Sequence, residues 1–294
     1  MKIGVNFGFK IKRLMTRINR MGALTAAMVT LFAASCQQSG QEEGNTQDTT
    51  APPPPAITVS EVGQSPEFPD AQLGIASVKA TKQGTDSAKV HFSFTVKNYE
   101  LKGQTADKDS KQCSNSADGQ HIHFILDNQP YKALYAPENE VTLPVNTEHY
   151  LMAFLSRSYH ESLKHKGAAL VYHFKIDEKG NLRQLEAPET PMVFYSRPKG
   201  DYLGKDTENV LFDFYVWNAG LSDTGYRVKA DITTDGGQDT SFTVTTWQSY
   251  FLHHLPMGNA RISLTLLDKD NNPVQGPETS AGGKLRLATD EPVQ

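Results

Sequence analysis

Two segments of this chain decide its fold: Val90-His91-Phe92-Ser93-Phe94-Thr95-Val96-Lys97-Asn98-Tyr99-Glu100-Leu101 and, 120 positions later, Val210-Leu211-Phe212-Asp213-Phe214-Tyr215-Val216-Trp217-Asn218-Ala219-Gly220-Leu221. Both follow the pattern V-x-F-x-F-x-V-x-N-x-x-L. A second similarity between the two halves follows downstream in the same order: Leu143-Pro144 precedes 149–155, and Leu255-Pro256 precedes 261–267. Two such similarities in the same order predict that the chain contains one domain in two copies.

The repeated segments have the periodicity of β-strands. Apolar residues alternate with polar ones from Val90 to Val96, which is typical of a strand with one buried face. Similar alternation recurs at 122–126, 150–154, 210–217, 242–244 and 262–266, and turn residues such as Asp235-Gly236-Gly237 separate the segments. We therefore expect an all-β fold of two tandem immunoglobulin-like antiparallel β-sandwiches. No Cys-Trp-Cys pattern marks an antibody-type domain.

The repeat also divides the chain. We expect the first sandwich over 68–186 and the second over 190–290, with the seam between Glu186 and Pro191. Residues 36–67 are rich in Gln, Gly, Thr and Pro without periodic apolar positions. Such a segment cannot bury enough apolar surface to fold, which predicts a disordered tether.

The N-terminus has the order of an export signal. Six basic residues and no acidic residue occur before position 36, and the uncharged stretch from Met21 ends in Ala33-Ala34-Ser35-Cys36. This order predicts a signal peptide over 1–35, with lipid attached to Cys36. An ordinary cleaved signal with an incidental Cys36 is the alternative, and Met15 is a second candidate start.

Charge limits the class of partner. Residues 36 to 294 contain 23 basic and 33 acidic residues, a net charge of −10. Nucleic acid is therefore not an expected partner, because its binding relies on Lys and Arg that neutralise phosphates. An acidic surface also does not adsorb to anionic lipid, so acyl chains on Cys36 would hold the protein at its membrane.

If Cys36 carries lipid, Cys113 has no partner for a disulfide within the chain. A single thiol in an exported protein is buried, binds a metal or reacts with another molecule. The sequence leaves these alternatives open.

Histidines are concentrated in the first copy. His121 and His123 fall on the same face of their predicted strand, opposite Ile122 and Phe124, so they should face away from the core. Pairing His149 with Arg261 of the second copy places His149 on an outer face as well. His121, His123, His149 and His160 are therefore candidate ligands for Zn or Cu, with Cys113 as a further one. The alternative is a surface cluster of histidines without metal.

A polar ligand pocket is a further alternative. Arg157, His160 and Glu161 lie in one predicted loop, and Arg197 and Lys199 form a basic segment at the start of the second copy. The chain contains no GxSxG, HExxH, GxxxxGK or GxGxxG motif, so none of these motifs indicates an enzyme.

Three motifs resemble those of an uncharacterised family of Bacteroidetes-type lipoproteins: Gly119-Gln120-His121-Ile122-His123-Phe124-Ile125-Leu126-Asp127-Asn128, Ser156-Arg157-Ser158-Tyr159-His160-Glu161-Ser162 and Tyr195-Ser196-Arg197-Pro198-Lys199-Gly200. The resemblance covers roughly 70–287. It implies a location and a fold rather than a chemistry. Members are sometimes labelled phosphopeptide-binding protein, but this chain has no forkhead-associated fingerprint.

Together these features predict a lipid-anchored protein of the cell envelope, on the periplasmic or the outer surface. We expect a non-enzymatic binding or structural module without a cofactor, whose partners are the membrane, through the lipid on Cys36, and an envelope protein or a small ligand. The alternative is a Zn or Cu protein, either a carrier or a metal-dependent hydrolase, that uses the histidines of the first sandwich.

Overall fold

The computed structural model of the protein describes residues 53–290. The predicted signal peptide, Cys36 and the first part of the predicted tether lie outside the described residues. Over the described part the chain is almost entirely β-structure.

The first sandwich consists of two antiparallel sheets. One has the strand order β2-β3-β6 and the other β5-β4-β7-β8-β9. Their bounds are β2 Gln72–Gln83, β3 Ser87–Lys97, β4 His121–Leu126, β5 Lys132–Leu134, β6 Glu138–Pro144, β7 Thr147–Ser156, β8 Ala169–Ile176 and β9 Leu182–Gln184. A short helix, α1 (Lys108–Lys111), and a 3-10 turn, Lys166–Ala168, lie in its loops.

The second sandwich has the sheet orders β1-β15-β12-β10 and β11-β17-β16-β13-β14. All of its strand pairs are antiparallel except β11 with β17. Their bounds are β1 Thr58–Glu61, β10 Met192–Arg197, β11 Gly200–Leu203, β12 Val210–Trp217, β13 Arg227–Thr234, β14 Thr240–Val244, β15 Tyr250–His253, β16 Gly258–Leu267 and β17 Ser280–Ala288. A 3-10 turn, Gly204–Thr207, precedes β12.

The two sandwiches follow one plan. In each, the first, second and fifth strands of the repeat form one sheet, and the fourth, third, sixth and seventh form the other. The extra strands β1, β9 and β11 only add to the edges of this plan. This is an immunoglobulin-like arrangement, so the predicted fold class is confirmed.

Details of the repeat are conserved between the copies. A β-bulge interrupts the pairing between Ile75 and Ser77 in the first copy and between Tyr195 and Arg197, 120 positions later, in the second. Asn98 and Asn218, the Asn of the shared pattern, both adopt a left-handed backbone, with φ of 54° and 52°. Asn tolerates this conformation better than most residues, which explains why the pattern ends each strand with it.

Each sandwich has its own core. Phe92 and Phe94 are buried in the first, with Phe124 and Phe174, and the equivalent Phe212 and Phe214 are buried in the second. A third apolar cluster joins the two sandwiches. It contains Ile125, Tyr131, Met152, Phe154 and Ala169 from the first and Met192, Phe194 and Tyr215 from the second.

The predicted extent of the tether is wrong at its C-terminal end. Residues 58–61 form β1, which pairs antiparallel with β15 of the second sandwich. Pro66 then accepts hydrogen bonds from Arg157 of the first sandwich. Pairing at a sheet edge needs backbone hydrogen bonds rather than an alternating apolar face, so the sequence pattern gave no sign of this strand.

Candidate functional site

Strand β4 carries two histidines on the face that turns away from the first core. Ile122 and Phe124 pack into that core, and His121 and His123 alternate with them, as predicted. The prediction that this face is exposed is wrong, because both histidines are 0% exposed. Tyr131 of the β4–β5 hairpin and Ser196 of the second sandwich contact His123 there, so the hairpin and the docking of the two copies together bury this face.

A third histidine joins them from the loop after β7. His121 Nε2 lies 2.9 Å from His123 Nε2 and 3.1 Å from His160 Nδ1. The three ligand nitrogens are all within 4.8 Å of one another. We call these residues the His cluster. It is the one group of three or more potential metal ligands found among residues 53–290.

Backbone geometry aims His160 into the cluster. His160 has a φ of 70°, and its N–H donates to the carbonyl of Arg157 in a tight turn. A left-handed backbone is uncommon for a residue other than Gly, Asn or Asp and has an energetic cost. The imidazole is buried, although the residue as a whole retains some exposure.

The hydrogen bonds assign the tautomers of His121 and His123. The carbonyl of Gly119 lies 2.7 Å from His121 Nδ1, so this nitrogen must carry the proton and His121 Nε2 must be an acceptor. The single lone pair of His121 Nε2 then accepts a hydrogen bond from His123 Nε2–H, and His160 Nδ1 lies 3.1 Å from the same nitrogen. His123 Nδ1 is left as an acceptor for the hydroxyl of Ser196, 3.1 Å away.

The His cluster is neutral at physiological pH. Burial, which disfavours the charged form, lowers the pKa of His121 to about 4 and the pKa values of His123 and His160 well below their ordinary value. Nearby Arg197 lowers all three further. Neutral imidazole is the form that binds metal ions.

Aromatic rings enclose the cluster. The ring of Tyr131 stacks on His123 with centroids 3.7 Å apart, and the ring of Tyr135 lies 5.0 Å from His121. Burial raises the pKa of Tyr131, so its hydroxyl stays protonated. Tyr131 Oη lies 3.3 Å from His160 Nδ1 and accepts a hydrogen bond from Arg197 at 3.1 Å.

His149 does not belong to the His cluster, and its predicted outer position is wrong. When β4 is aligned with β13, the strands paired with them, β7 and β16, align Leu151 with Ile262. His149 therefore corresponds to Ala260 rather than to Arg261. Its side chain therefore lies on the core side of β7, where it contacts Asp127 at 2.7 Å and Thr147 at 2.6 Å. A one-residue shift in strand alignment reverses the face of every side chain.

Cys113 is also separate from the cluster. Its thiol is buried against Tyr159, Leu211 and Phe251. Burial raises the pKa of Cys113 to about 12. A protonated, buried thiol is neither a reactive nucleophile nor a ready metal ligand, so the buried alternative describes this residue.

The other predicted ligand-binding residues lie in three places. Arg157 and Glu161 form a buried ion pair at 3.2 Å and line a pocket beneath the N-terminal segment. Arg197 is buried next to the His cluster, where its guanidinium bonds to Tyr131 and lies over the ring of Tyr202. Lys199 lines a different cleft. The structure therefore does not bring the four side chains into one polar pocket.

Two residues of this site were not predicted from the sequence. Ser196 and Tyr131 contact the histidines only because the second sandwich and the β4–β5 hairpin fold over them. No local pattern around either residue indicates such a role, since one contact depends on the fold of the hairpin and the other on how the two copies dock.

Comparisons with known proteins give only distant structural likenesses. No family model and no curated protein matches the chain. Similar solved structures include fibronectin(III)-like modules of Clostridium thermocellum CbhA, with 16% identity, a TM-score of 0.24 and coverage of 34% of this chain and 100% of that one. The extracellular domain of a proposed hybrid two-component system from B. thetaiotaomicron has 9% identity, a TM-score of 0.24 and coverage of 71% and 38%.

The receptor tyrosine kinase Torso is a third similar structure, with 13% identity, a TM-score of 0.18 and coverage of 76% of both chains. All three likenesses are too low to carry an argument about this chain. The assignment to immunoglobulin-like sandwiches accordingly rests on the strand order and register described above. No helix among the described residues is long and apolar enough to cross a membrane.

Proposed function

We propose that this protein is a lipid-anchored, non-enzymatic envelope protein that binds Zn or Cu between its two sandwiches. The observation that carries the proposal is the convergence of three buried imidazole nitrogens, from His121, His123 and His160, within 4.8 Å. The ligand atoms would be His121 Nε2, His123 Nε2 and His160 Nδ1.

The donor set suits such an ion. Neutral imidazoles are common ligands of Zn and Cu, and sites with three histidines leave a further position for water or an anion. Nitrogens bound to one tetrahedral ion at 2.0–2.1 Å lie about 3.3 Å apart. The observed 2.9 and 3.1 Å require a small opening, and the third pair of nitrogens, from His123 and His160, lies within 4.8 Å and must reach the same separation. His121 is already held through Nδ1 by a backbone carbonyl, an arrangement typical of ligating histidines.

Burial favours a holding role over hydrolysis. A metal-dependent hydrolase must bring its substrate to the ion, but His121 and His123 are fully buried and covered by Tyr131 and the second sandwich. An ion there would join β4, the loop after β7 and, through Ser196, the second copy. We therefore favour a bound ion that is carried or that fixes the two sandwiches together.

The surface fits a small ligand better than a large protein partner. Among the described residues only Val59 and Met257 are exposed large apolar side chains. An apolar docking face for an envelope protein would need a larger contiguous patch. The acidic character of the chain supports the expectation that nucleic acid is not a partner.

The location rests on Cys36. The signal-like order of 1–35 supports export, and acylation of Cys36 would place the sandwiches in the periplasm or on the outer surface. Labelling cells with a clickable fatty acid tests this step. The wild-type protein should become labelled and enter the membrane fraction, and Cys36→Ser should be neither labelled nor retained there. An unlabelled wild-type protein would contradict the anchor.

Metal titration tests the central proposal. The chain from Gln37 to Gln294, which omits the anchor cysteine, should be stripped with chelator and titrated with Zn²⁺, Cu²⁺ and, under reducing conditions, Cu⁺. We expect one ion per chain, with His121→Gln and His160→Gln each losing it. His173→Gln is a matched control, because His173 contacts Glu148 and stacks on Tyr150, outside the His cluster. Failure to bind any of the three ions would show that the cluster is only a hydrogen-bonded contact between the sandwiches.

A further inference from the structure

A second cleft lies beside the His cluster and has a different chemistry. It has a volume of about 590 Å³ and is enclosed by the β4–β5 hairpin of the first sandwich and by β10, β11, β16 and β17 of the second. Asn128, Gln129 and Pro130 form one wall, and the rest is formed by Tyr195, Ser196, Lys199, Gly200, Arg261, Gly282, Gly283 and Lys284. We call it the basic cleft, because its three charged side chains are all cations.

The cations of the basic cleft have no acidic partners. Lys199, Arg261 and Lys284 form no ion pair within 4 Å among the described residues, although the chain is acidic overall. Arg197 behind the cleft likewise lacks a carboxylate partner, and its Nε makes no hydrogen bond despite being buried. Four unpaired cations therefore meet in one region of an acidic protein.

The strongest anomaly is a like-charge pair within the sheet. Arg261 and Lys284 are direct register partners on β16 and β17. Like charges directly opposite each other destabilise a sheet. The equivalent pair in the first copy, Tyr150 and His173, is instead a favourable ring stack at 4.3 Å. The second copy thus retains a repulsive pair where its sister has a stabilising one.

A glycine of β17 makes room for the ring of Tyr195. The strand registers equate Gly283 with Tyr172 of the first copy. A Cβ atom at Gly283 would come within 2.2 Å of the ring of Tyr195, so only glycine fits there. The Tyr195 ring therefore packs against the bare backbone of β17 on the core side of the sheet, whereas Arg261 and Lys284 lie on its outer side.

We propose that the basic cleft binds a small organic anion, with its carboxylate or phosphate between Lys199, Arg261 and Lys284 and its apolar part against Pro130. The bound anion would offset the repulsion between Arg261 and Lys284. Arg and Lys are the side chains that bind both anionic groups through charge-assisted hydrogen bonds. Cation density alone does not choose between the two groups, so the test contains both.

The experiment uses the chain from Gln37 to Gln294 with chelator present, so that its result does not depend on the proposed metal. Thermal unfolding and calorimetry at about 0.15 M salt, where weak long-range attraction is screened, would compare phenyl phosphate, benzoate and inorganic phosphate with neutral benzyl alcohol. We expect phenyl phosphate or benzoate to bind and to raise the unfolding temperature, whereas benzyl alcohol should do neither.

Variants locate the site. Arg261→Gln and Lys284→Gln should each weaken anion binding by about tenfold, the loss expected for one charge-assisted contact. Without ligand, each should unfold at the wild-type temperature or above it, because the like-charge repulsion is relieved. Lys229→Gln is the matched control. It removes the same charge from the outer face of the same sheet, where Lys229 pairs with Asp231, and should bind normally.

Two outcomes would overturn the proposal. One is that no organic anion binds at this salt concentration. The other is that Lys229→Gln loses as much affinity as Lys284→Gln, which would indicate general attraction to positive charge. The variant His121→Gln separates this result from the metal proposal, since it should lose metal and still bind the anion.

Discussion

His123 and Ser196 join the two sandwiches through a hydrogen bond of 3.1 Å between Nδ1 and Oγ. The hydroxyl donates in the metal-free tautomer, because His123 Nε2–H is directed at His121. A metal ion on His123 Nε2 would require the proton on Nδ1, and the hydroxyl would then become the acceptor. Ser196 also lines the basic cleft, so this reversal would free its proton to face a bound anion.

Ser196→Ala should therefore weaken two properties at once. Metal affinity should fall by about 10-fold or more, as expected when the outer partner of a ligating histidine is removed. The free energy of unfolding without metal should fall by about 1–3 kcal/mol, because a buried acceptor on His123 loses its donor. Metal titration and urea unfolding measure the two effects.

Ser196→Thr is the control, since it retains the hydroxyl and should recover most of both losses. Unchanged metal affinity in Ser196→Ala would mean that His123 does not bind the ion through Nε2.

Acid should destabilise the metal-free protein over a defined range of pH. The pKa of His121 is lowered to about 4 in the folded state, whereas an unfolded histidine titrates near 6.5. Between these values the unfolded chain binds the additional proton, so stability rises with pH there. The contribution is present in full above about pH 6.5, is lost as pH falls toward 4 and changes no further below that.

For His121 alone the loss is on the order of 3 kcal/mol across this window, and His123 and His160 act in the same direction. Urea unfolding at several pH values would measure it. The double variant His121→Gln/His123→Gln should show a visibly flatter dependence between pH 6.5 and 4. Parallel profiles for the two proteins would mean that the imidazoles are not buried in the neutral form.

Alternation and the repeat predicted the fold because each depends on local sequence. The face of a strand follows from the period of two, so the opposite directions of Ile122 and His123 were predictable. The burial of His123 was not, because it depends on a contact with Ser196 that lies 73 positions away. Strand β1 was also missed, since Thr58 to Glu61 join the edge of β15 through their backbone.

The prediction for His149 failed for a different reason. The sequence similarity at Leu143 and Leu255 is real. The strand registers, however, align β7 with β16 at a spacing one residue shorter than this similarity implies. Strand pairing, which only the folded sheet reveals, was needed to equate His149 with Ala260. Three of the four candidate ligands, His121, His123 and His160, nevertheless converge in the structure. Their positions do not depend on that alignment.

His149 provides an internal test of the assignment. His149→Gln should retain one metal ion per chain, because its ring contacts Asp127 and Thr147 outside the His cluster. His160→Gln should lose the ion while its backbone turn persists. Equilibrium titration with a coloured chelator as competitor would compare them. Loss of metal in His149→Gln and retention in His160→Gln would place the site elsewhere.

Truncation tests the role of the N-terminal segment. A chain that begins at Asp70 would lose β1, its pairing with β15 and the hydrogen bonds from Arg157 to Pro66. Because a net hydrogen bond contributes about 0.5–1.5 kcal/mol, we expect unfolding to become easier by about 2 kcal/mol or more. Proteolysis should then cleave near Tyr250, at the uncovered edge of the sheet, whereas a chain from Pro53 should behave like one from Gln37. Equal stability of all three chains would mean that β1 and Pro66 contribute nothing to the fold.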